Sequence, residues 1–175
     1  MSSRISTIKA TFSTRLDTLE HLLAKAEERL GPADAFLERR LAPDMFPLGT
    51  QIAFTCNQPR NFSLWCLGEA PNDLDPAVAT VSAARTLIRE TKELLSSIAV
   101  GDSILSERKI IEFGGGLYAE VPGEAYVNDF LVPNFYFHLV TAYGILRAAG
   151  LDIGKRDFML HLTPFVKQRQ AASEG

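Results

Sequence analysis

Side chains that could move a proton or hold a metal ion are scarce in this chain. It has three histidines, His21, His138 and His161. His138 is the best placed for chemistry. It closes the run Leu131-Val132-Pro133-Asn134-Phe135-Tyr136-Phe137-His138, with Asn134 one helical turn earlier and Thr141 one turn later. That spacing puts the polar groups on one helix face. There, His138 could serve as a general base or a remnant metal ligand lining a pocket, with Asp44 or Gln51 facing it from an earlier helix. It could equally be a core histidine, held by one or two hydrogen bonds and fixing the register of two helices. Both readings are open at this level.

The other candidates divide in the same way. Asp44 follows Pro43 ahead of a helix, as an N-cap or as a carboxylate at a pocket mouth. Tyr143 is a donor into the pocket or an amphipathic core residue. Asn57 is a further polar group near Gln51. His21 falls off the apolar stripe of its helix and reads as solvated, and His161 lies beyond the last long helix. Lys155 and Arg156 form a turn in which Asp157 ties neighbouring cations or caps an amide; an anion site is the alternative. Phe130, Phe135, Tyr136 and Phe137 read as core rather than as a ligand platform. Cys56 and Cys66 lack Cys-x-x-Cys spacing and behave as small buried hydrophobes.

These residues are carried by long amphipathic elements. Ile5, Ile8, Phe12, Leu16, Leu19, Leu23, Ala26 and Leu30 recur at three and four, predicting helix 1 over 3–30, ended by Gly31-Pro32. A short helical turn over 34–41 follows. The two prolines of the 41–48 stretch punctuate a loop and open helix 2, which runs to about Leu67, with Pro59 inside it and a kink or break expected near Gln58. Asp75-Pro76 predicts the start of helix 3, with Val78, Val81, Ala84, Ile88, Leu95 and Ile98 as its buried stripe. Residues 109–121 change to a two-residue period about Gly114-Gly115-Gly116, which predicts a β-hairpin. No Gly-Lys-Ser/Thr follows those glycines, so they are not a phosphate loop. Helix 4 begins near Glu124, is interrupted at Pro133, and is apolar around most of its circumference from Asn134 to Ala149, which predicts a central helix capped by Gly150. The resulting expectation is all-α: an up-down four-helix bundle with a small β-hairpin between helices 3 and 4. Its domain spans 1–160 and is followed by a frayed tail, 161–175.

Composition narrows the function classes. The 175 residues are 46% hydrophobic and 22% charged, with net charge -3, an ordinary globular balance. That charge argues against a nucleic-acid partner, which needs a basic face. No apolar run is long enough to span a membrane. A cytoplasmic protein is expected. A mitochondrial location is the alternative, because residues 1–16 hold Arg4, Lys9, Arg15, many hydroxyls and no acid.

Two stretches carry a family resemblance. One is Leu41-Ala42-Pro43-Asp44-Met45-Phe46-Pro47-Leu48 with Gln51. The other runs from Leu131 through His138, Thr141-Ala142-Tyr143 and Ile145-Leu146-Arg147 to Gly154-Lys155-Arg156-Asp157-Phe158. Together they resemble an uncharacterised domain-of-unknown-function family within the DinB/YfiT-like superfamily, whose members are often metal-dependent. The resemblance implies a four-helix bundle. It also implies, for members with full sites, a histidine on helix 2 and an HxxxH pair on helix 4 holding a divalent metal, in transferases and hydrolases. This chain departs from that pattern: His138 matches the first helix-4 position, Ala142 stands at i+4, and helix 2 has no histidine. The expected metal site is degenerate, with His138 its one remnant ligand. No cofactor is expected, a weakly held divalent ion being the alternative. The expected function is binding of a small molecule or partner chain between helices 2 and 4. The alternatives are a transferase or hydrolase using His138, and a structural homodimer.

Overall fold

The structure is a computed structural model that describes residues 3–30 and 34–168. Helix α1 (Arg4–Arg29) starts where Ser3 leaves helical backbone and its hydroxyl accepts from the Ser6 amide. The Asp102 carboxylate, distant in sequence, accepts from the Arg4 and Ile5 amides at 2.9 and 3.0 Å. Helix N-termini leave such amides unpaired, so Asp102 ties the hairpin's approach to α1. Ile5, Ile8, Phe12 and Leu16 are all buried, so the hydroxyl- and cation-rich opening is the first part of a core helix. Gly31 and Pro32, expected to stop α1, lie outside the described residues.

A short 3-10 helix (Ala35–Glu38) leads to α2 (Leu48–Cys66). The break expected near Gln58 does not occur: α2 is one helix with Pro59 inside it. The Ser63 hydroxyl donates to the Pro59 carbonyl at 2.7 Å, and Thr55 donates to Gln51 at 2.7 Å. Pro59 is buried among bundle contacts that hold the helix across the missing amide. A Schellman ending follows, with Gly68 at φ +73 and Glu69 N–H donating to Leu64.

Helix α3 (Val81–Ser97) starts later than Asp75-Pro76 suggested. The Asp75 carboxylate accepts from Ala77 N–H at 2.9 Å, a local turn that competes with helix. Thr80 is the N-cap, accepting from Ala83 N–H at 3.1 Å, and Asp34 accepts from Val81 N–H at 2.8 Å. A 3-10 turn (Asp102–Ser106) then leads to the hairpin β1 (Arg108–Gly114) and β2 (Leu117–Pro122). Its antiparallel register pairs Lys109 with Val121 and Ile111 with Ala119, with a bulge between Glu112 and Gly114. Gly115 and Gly116 turn the chain at φ +60 and +80, which a two-residue hairpin turn of this hand requires. The hairpin packs on the bundle through Ile111, Phe113 against Phe130, and the Lys109 ammonium over the Tyr126 ring.

The last long helix is not interrupted at Pro133. A turn α4 (Gly123–Ala125) passes into a π-helical stretch (Tyr126–Leu131) and on into α5 (Val132–Ala148), with Pro133 in its first turn. The wider π register precedes the residue that has no amide to donate. Asn134 Nδ2 donates to the Phe130 carbonyl at 2.9 Å, a side-chain bond across the same turn. Nor is α5 buried all round. Phe135, Leu139, Ala142, Ile145 and Leu146 face inward, but Phe137 and Val140 are 60% and 50% exposed.

Helices α1, α2, α3 and α5 form the up-down bundle, with α2 packed between α3 and α5 and α1 closing against α3. Phe12 sits at the centre, its ring edge-on to Phe135 at 5.1 Å and tilted against Phe62 at 6.0 Å. Burying a side chain of that size contributes about 1.5–3 kcal/mol. Gly150 at φ +90 ends α5, and Leu151 folds back to donate to Leu146. A single turn α6 (Lys155–Phe158) and a 3-10 helix (Leu160–Phe165) then lie on α1. That 3-10 helix spans the start of the expected tail, and 169–175 lie outside the described residues. Among the described residues, no helix is long and apolar enough to cross a membrane.

Candidate functional site

Helices α2 and α5 bring Gln51 and His138 together. Gln51 is one turn into α2, where its own N–H bonds back to Pro47, and its side chain is 2% exposed. Gly49 allows α2 to approach the loop before α3 closely; a Cβ there would meet the Val78 carbonyl oxygen at 2.1 Å. Gln51 Nε2 donates to the Phe46 carbonyl at 3.2 Å, which orients the amide. Its Oε1 therefore faces His138 Nδ1, 2.8 Å away. An amide oxygen can only accept, so Nδ1 carries the proton and Nε2 keeps its lone pair. Among the described residues Nε2 makes no hydrogen bond. Burial pushes the His138 pKa below its ordinary value, which keeps the ring neutral at pH 7.

Aromatic rings frame the imidazole. Phe54 stands edge-on to it at 5.1 Å and Phe137 at 5.2 Å, and Phe46 packs on Phe54 at 5.3 Å. Phe46 is 58% exposed, and Leu41 and Val140 are exposed too. Leu41 lies over α5 at Gly144, its Cδ1 within 3.4 Å of where a Cβ would stand. The result is an apolar surface with one imidazole set in it.

The other predicted residues take different places. Asp44 is exposed in the loop before α2; Pro47, not Asp44, is the N-cap, and Gln51 rather than Asp44 is the partner of His138. Asn134 directs one amide N–H to the Phe130 carbonyl and Thr141 donates to the Phe137 carbonyl at 2.7 Å; among the described residues neither is bonded to His138. Tyr143 lies five residues on, about 140° around the helix, edge-on to Phe158 at 5.6 Å. Asn57 accepts from Leu74 N–H, away from the site. Ala142 is fully buried and brings only a methyl group to the face one turn beyond His138.

His21 is not simply solvated. Its Nε2 and Lys25 Nζ meet the Asp157 carboxylate at 3.0 and 2.8 Å, and Asp157 also accepts from Gly154 N–H at 2.9 Å. The groups that Asp157 ties are therefore on α1 rather than next to it in sequence, while Lys155 and Arg156 are exposed. Those bonds, from Lys25, then His21, then the amide, hold the Asp157 carboxyl well below the usual range. His161 packs near Arg15 beside α1, with Nδ1 buried and unpartnered among the described residues. Cys56 and Cys66 are buried free thiols, which burial pushes up to about 12 and about 11. Among the described residues, no three His, Cys, Asp or Glu side chains cluster as a metal site.

Sequence reasoning missed the frame of Phe46, Phe54 and Phe137. The signal was present: Phe54 is one turn beyond Gln51, and Phe137 adjoins His138. A groove of about 690 Å³ lies elsewhere, between α1 and α3, lined by Glu20, Glu27, Arg85, Arg89, Lys92 and Glu93. Its charges are paired, Arg85 with Glu27 at 2.7 Å, Arg89 with Glu93 at 2.9 Å and Lys92 with Asp17, as on a solvated bundle face.

Comparison with known proteins agrees with this architecture. A family described as a domain of unknown function (DUF1993) matches residues 6–159. A crystal structure of a DinB family member from Shewanella denitrificans is similar at 26% identity and a TM-score of 0.75, over 86% of this chain and 88% of that one. Among curated proteins, none matches.

Proposed function

The chain belongs to the DUF1993 domain-of-unknown-function family, and from that premise we propose that it is a metal-independent binding protein on a DinB-like bundle. Its site is the α2–α5 face around His138 and Gln51. The observation that carries this is the Gln51–His138 hydrogen bond. A catalytic zinc site takes three protein donors. Here the helix-2 partner is an amide whose oxygen already accepts from Nδ1–H, and one turn beyond His138 stands the methyl of Ala142. Those residues do not fit the metal site that the superfamily resemblance implies. What they do offer is one imidazole acceptor within exposed Phe46, Phe137 and Val140. That suits an apolar or aromatic group carrying one hydrogen-bond donor, on a small molecule or a partner chain. Cytoplasmic residence accords with the two unpaired cysteines.

A second reading rests on the Nε2 lone pair of a neutral imidazole, the requirement for a general base. In it the chain is a transferase or hydrolase using His138, with a weakly held divalent ion. A homodimer through the exposed Leu41, Phe46, Phe137 and Val140 face is the third. Metal content by mass spectrometry, wild type beside His138→Ala, separates the first two: near-stoichiometric ion lost in the variant overturns the metal-independent reading. An aromatic fragment set titrated against the His138 and Phe137 side-chain resonances tests binding. Binding should weaken in Phe137→Ala, which leaves the core intact. No response to any fragment, in wild type dilute enough to be monomeric by light scattering, overturns the binding reading.

A further inference from the structure

Among the described residues the hairpin stands as a two-stranded sheet, and neither of its long edges carries a further strand. The phase of its bonds tells which groups face outward on β1. Gly123 N–H donates to the Glu107 carbonyl at 2.7 Å, one pair beyond Arg108 opposite Pro122. In antiparallel pairing, residues that exchange bonds with the partner strand alternate with residues that do not. Counting from Glu107, the backbone groups of Lys109 and Ile111 serve β2. Those of Arg108, Ile110 and Glu112 point away from it. Pro122, without an amide, falls opposite Arg108, as this phase requires. Among the described residues, no other backbone group bonds to 108–112 from outside the hairpin. The side chains of Arg108, Ile110 and Glu112 share the sheet face turned from the bundle, and all three are exposed, Ile110 at 53%.

We propose that a second copy of this chain docks on this edge. The two β1 strands pair antiparallel about a two-fold axis at Ile110, joining two hairpins into one four-stranded sheet. Ile110 then faces Ile110 of the second copy, and Arg108 faces Glu112 on both sides of the axis. Every outward N–H and C=O at 108, 110 and 112 finds a partner. Other two-fold registers do worse. An axis at Arg108 or at Glu112 sets like charges opposite each other, which is destabilising. An axis at Lys109 or Ile111 sets Ile110 against a charge. An axis between residues sets outward groups against inward ones. Charges commonly blunt an exposed edge; here their order, Arg108, Ile110, Glu112, is complementary to itself. Arg108 already pairs with Glu120 in its own hairpin at 2.5 Å, and docking sets it between two carboxylates.

The test is association of the full chain across a concentration series, by sedimentation velocity, with amide hydrogen exchange at each concentration. The expected result is a monomer–dimer equilibrium in which the Arg108, Ile110 and Glu112 amides gain protection as the dimer fills. Lys109 and Ile111, bonded within the hairpin, change little. Arg108→Glu and Glu112→Lys each place like charges across the axis and should weaken the dimer about tenfold. Mixing these two variants restores opposite charges and should restore association. Ile110→Pro removes an outward amide and the Ile110 side chain but no bond within the hairpin; it should abolish the dimer while far-UV circular dichroism stays unchanged. A wild-type chain that remains monomeric to its solubility limit overturns the proposal. So does a dimer indifferent to Glu112→Lys with no added protection at 108, 110 and 112, which would place the interface on a helical face.

Discussion

Gln51→Leu should cost the fold about 2–3 kcal/mol and release the His138 tautomer. Gln51 is 2% exposed and makes two bonds through its amide, to the Phe46 carbonyl and from His138 Nδ1. A hydrogen bond contributes about 0.5–1.5 kcal/mol net, and stranding a buried partner costs about 1–3 kcal/mol. Phe46 is in an exposed loop and His138 is half-buried, so both orphaned groups fall at the low end of that range. For a chain of this length the loss lowers Tm by about 4–12 °C. His138→Phe fills the space and strands only Gln51 Oε1, costing about 1–2 kcal/mol. The double variant removes both ends of the shared bond together. It should therefore be less damaged than the sum of the singles by about 1–2 kcal/mol. Urea unfolding followed by Trp65 fluorescence gives the cycle, and imidazole 15N shifts give the tautomer. In wild type the proton sits on Nδ1; in Gln51→Leu the two nitrogens should share it. Additivity within about 0.5 kcal/mol, or an Nε2-protonated ring in wild type, would refute the reasoning.

Three further outcomes are expected. Gly49→Ala drives a methyl into the Val78 carbonyl and should destabilise by about 3 kcal/mol; Gly144→Ala, which meets only the end of Leu41, should be neutral or stabilising in thermal melts. The Asp157 carboxyl is lower in the folded chain than its unfolded value of about 3.9, so its stabilisation is present above about pH 4 and is lost as pH falls through the depressed folded value. Urea midpoints between about pH 2 and about pH 7 should therefore show a shallower acid limb in Asp157→Asn than in wild type. Cys56 and Cys66, raised to about 12 and about 11 by burial, should resist a thiol-disulfide reagent at neutral pH until urea unfolds the chain; prompt reaction of either in native protein would contradict their burial.

Helix stripes were written plainly in the sequence. Ile5 through Ala26 on α1 and Val81 through Leu95 on α3 each expose one apolar period, and that period alone decides which face is buried. The hairpin was legible because a period of two flanks glycines free to take positive φ. His138 and Gln51 could be singled out as facing candidates, since each lies on a known face of its helix. Chain breaks were less legible. Pro59, Pro133 and Asp75-Pro76 are local signals, and neighbours outweighed them: bundle contacts carry α2 through Pro59, a π register leads into Pro133 at the first turn of α5, and the Asp75 turn delays α3 to Thr80. Only tertiary structure could choose Gln51 over Asp44 as the partner of His138, because the choice depends on where the Phe46 carbonyl falls after the loop closes. Likewise only the fold brings Asp157 to His21 and Lys25. A side chain's helical phase is a local property of the chain; its partner across a bundle is fixed by packing that no short stretch of sequence contains.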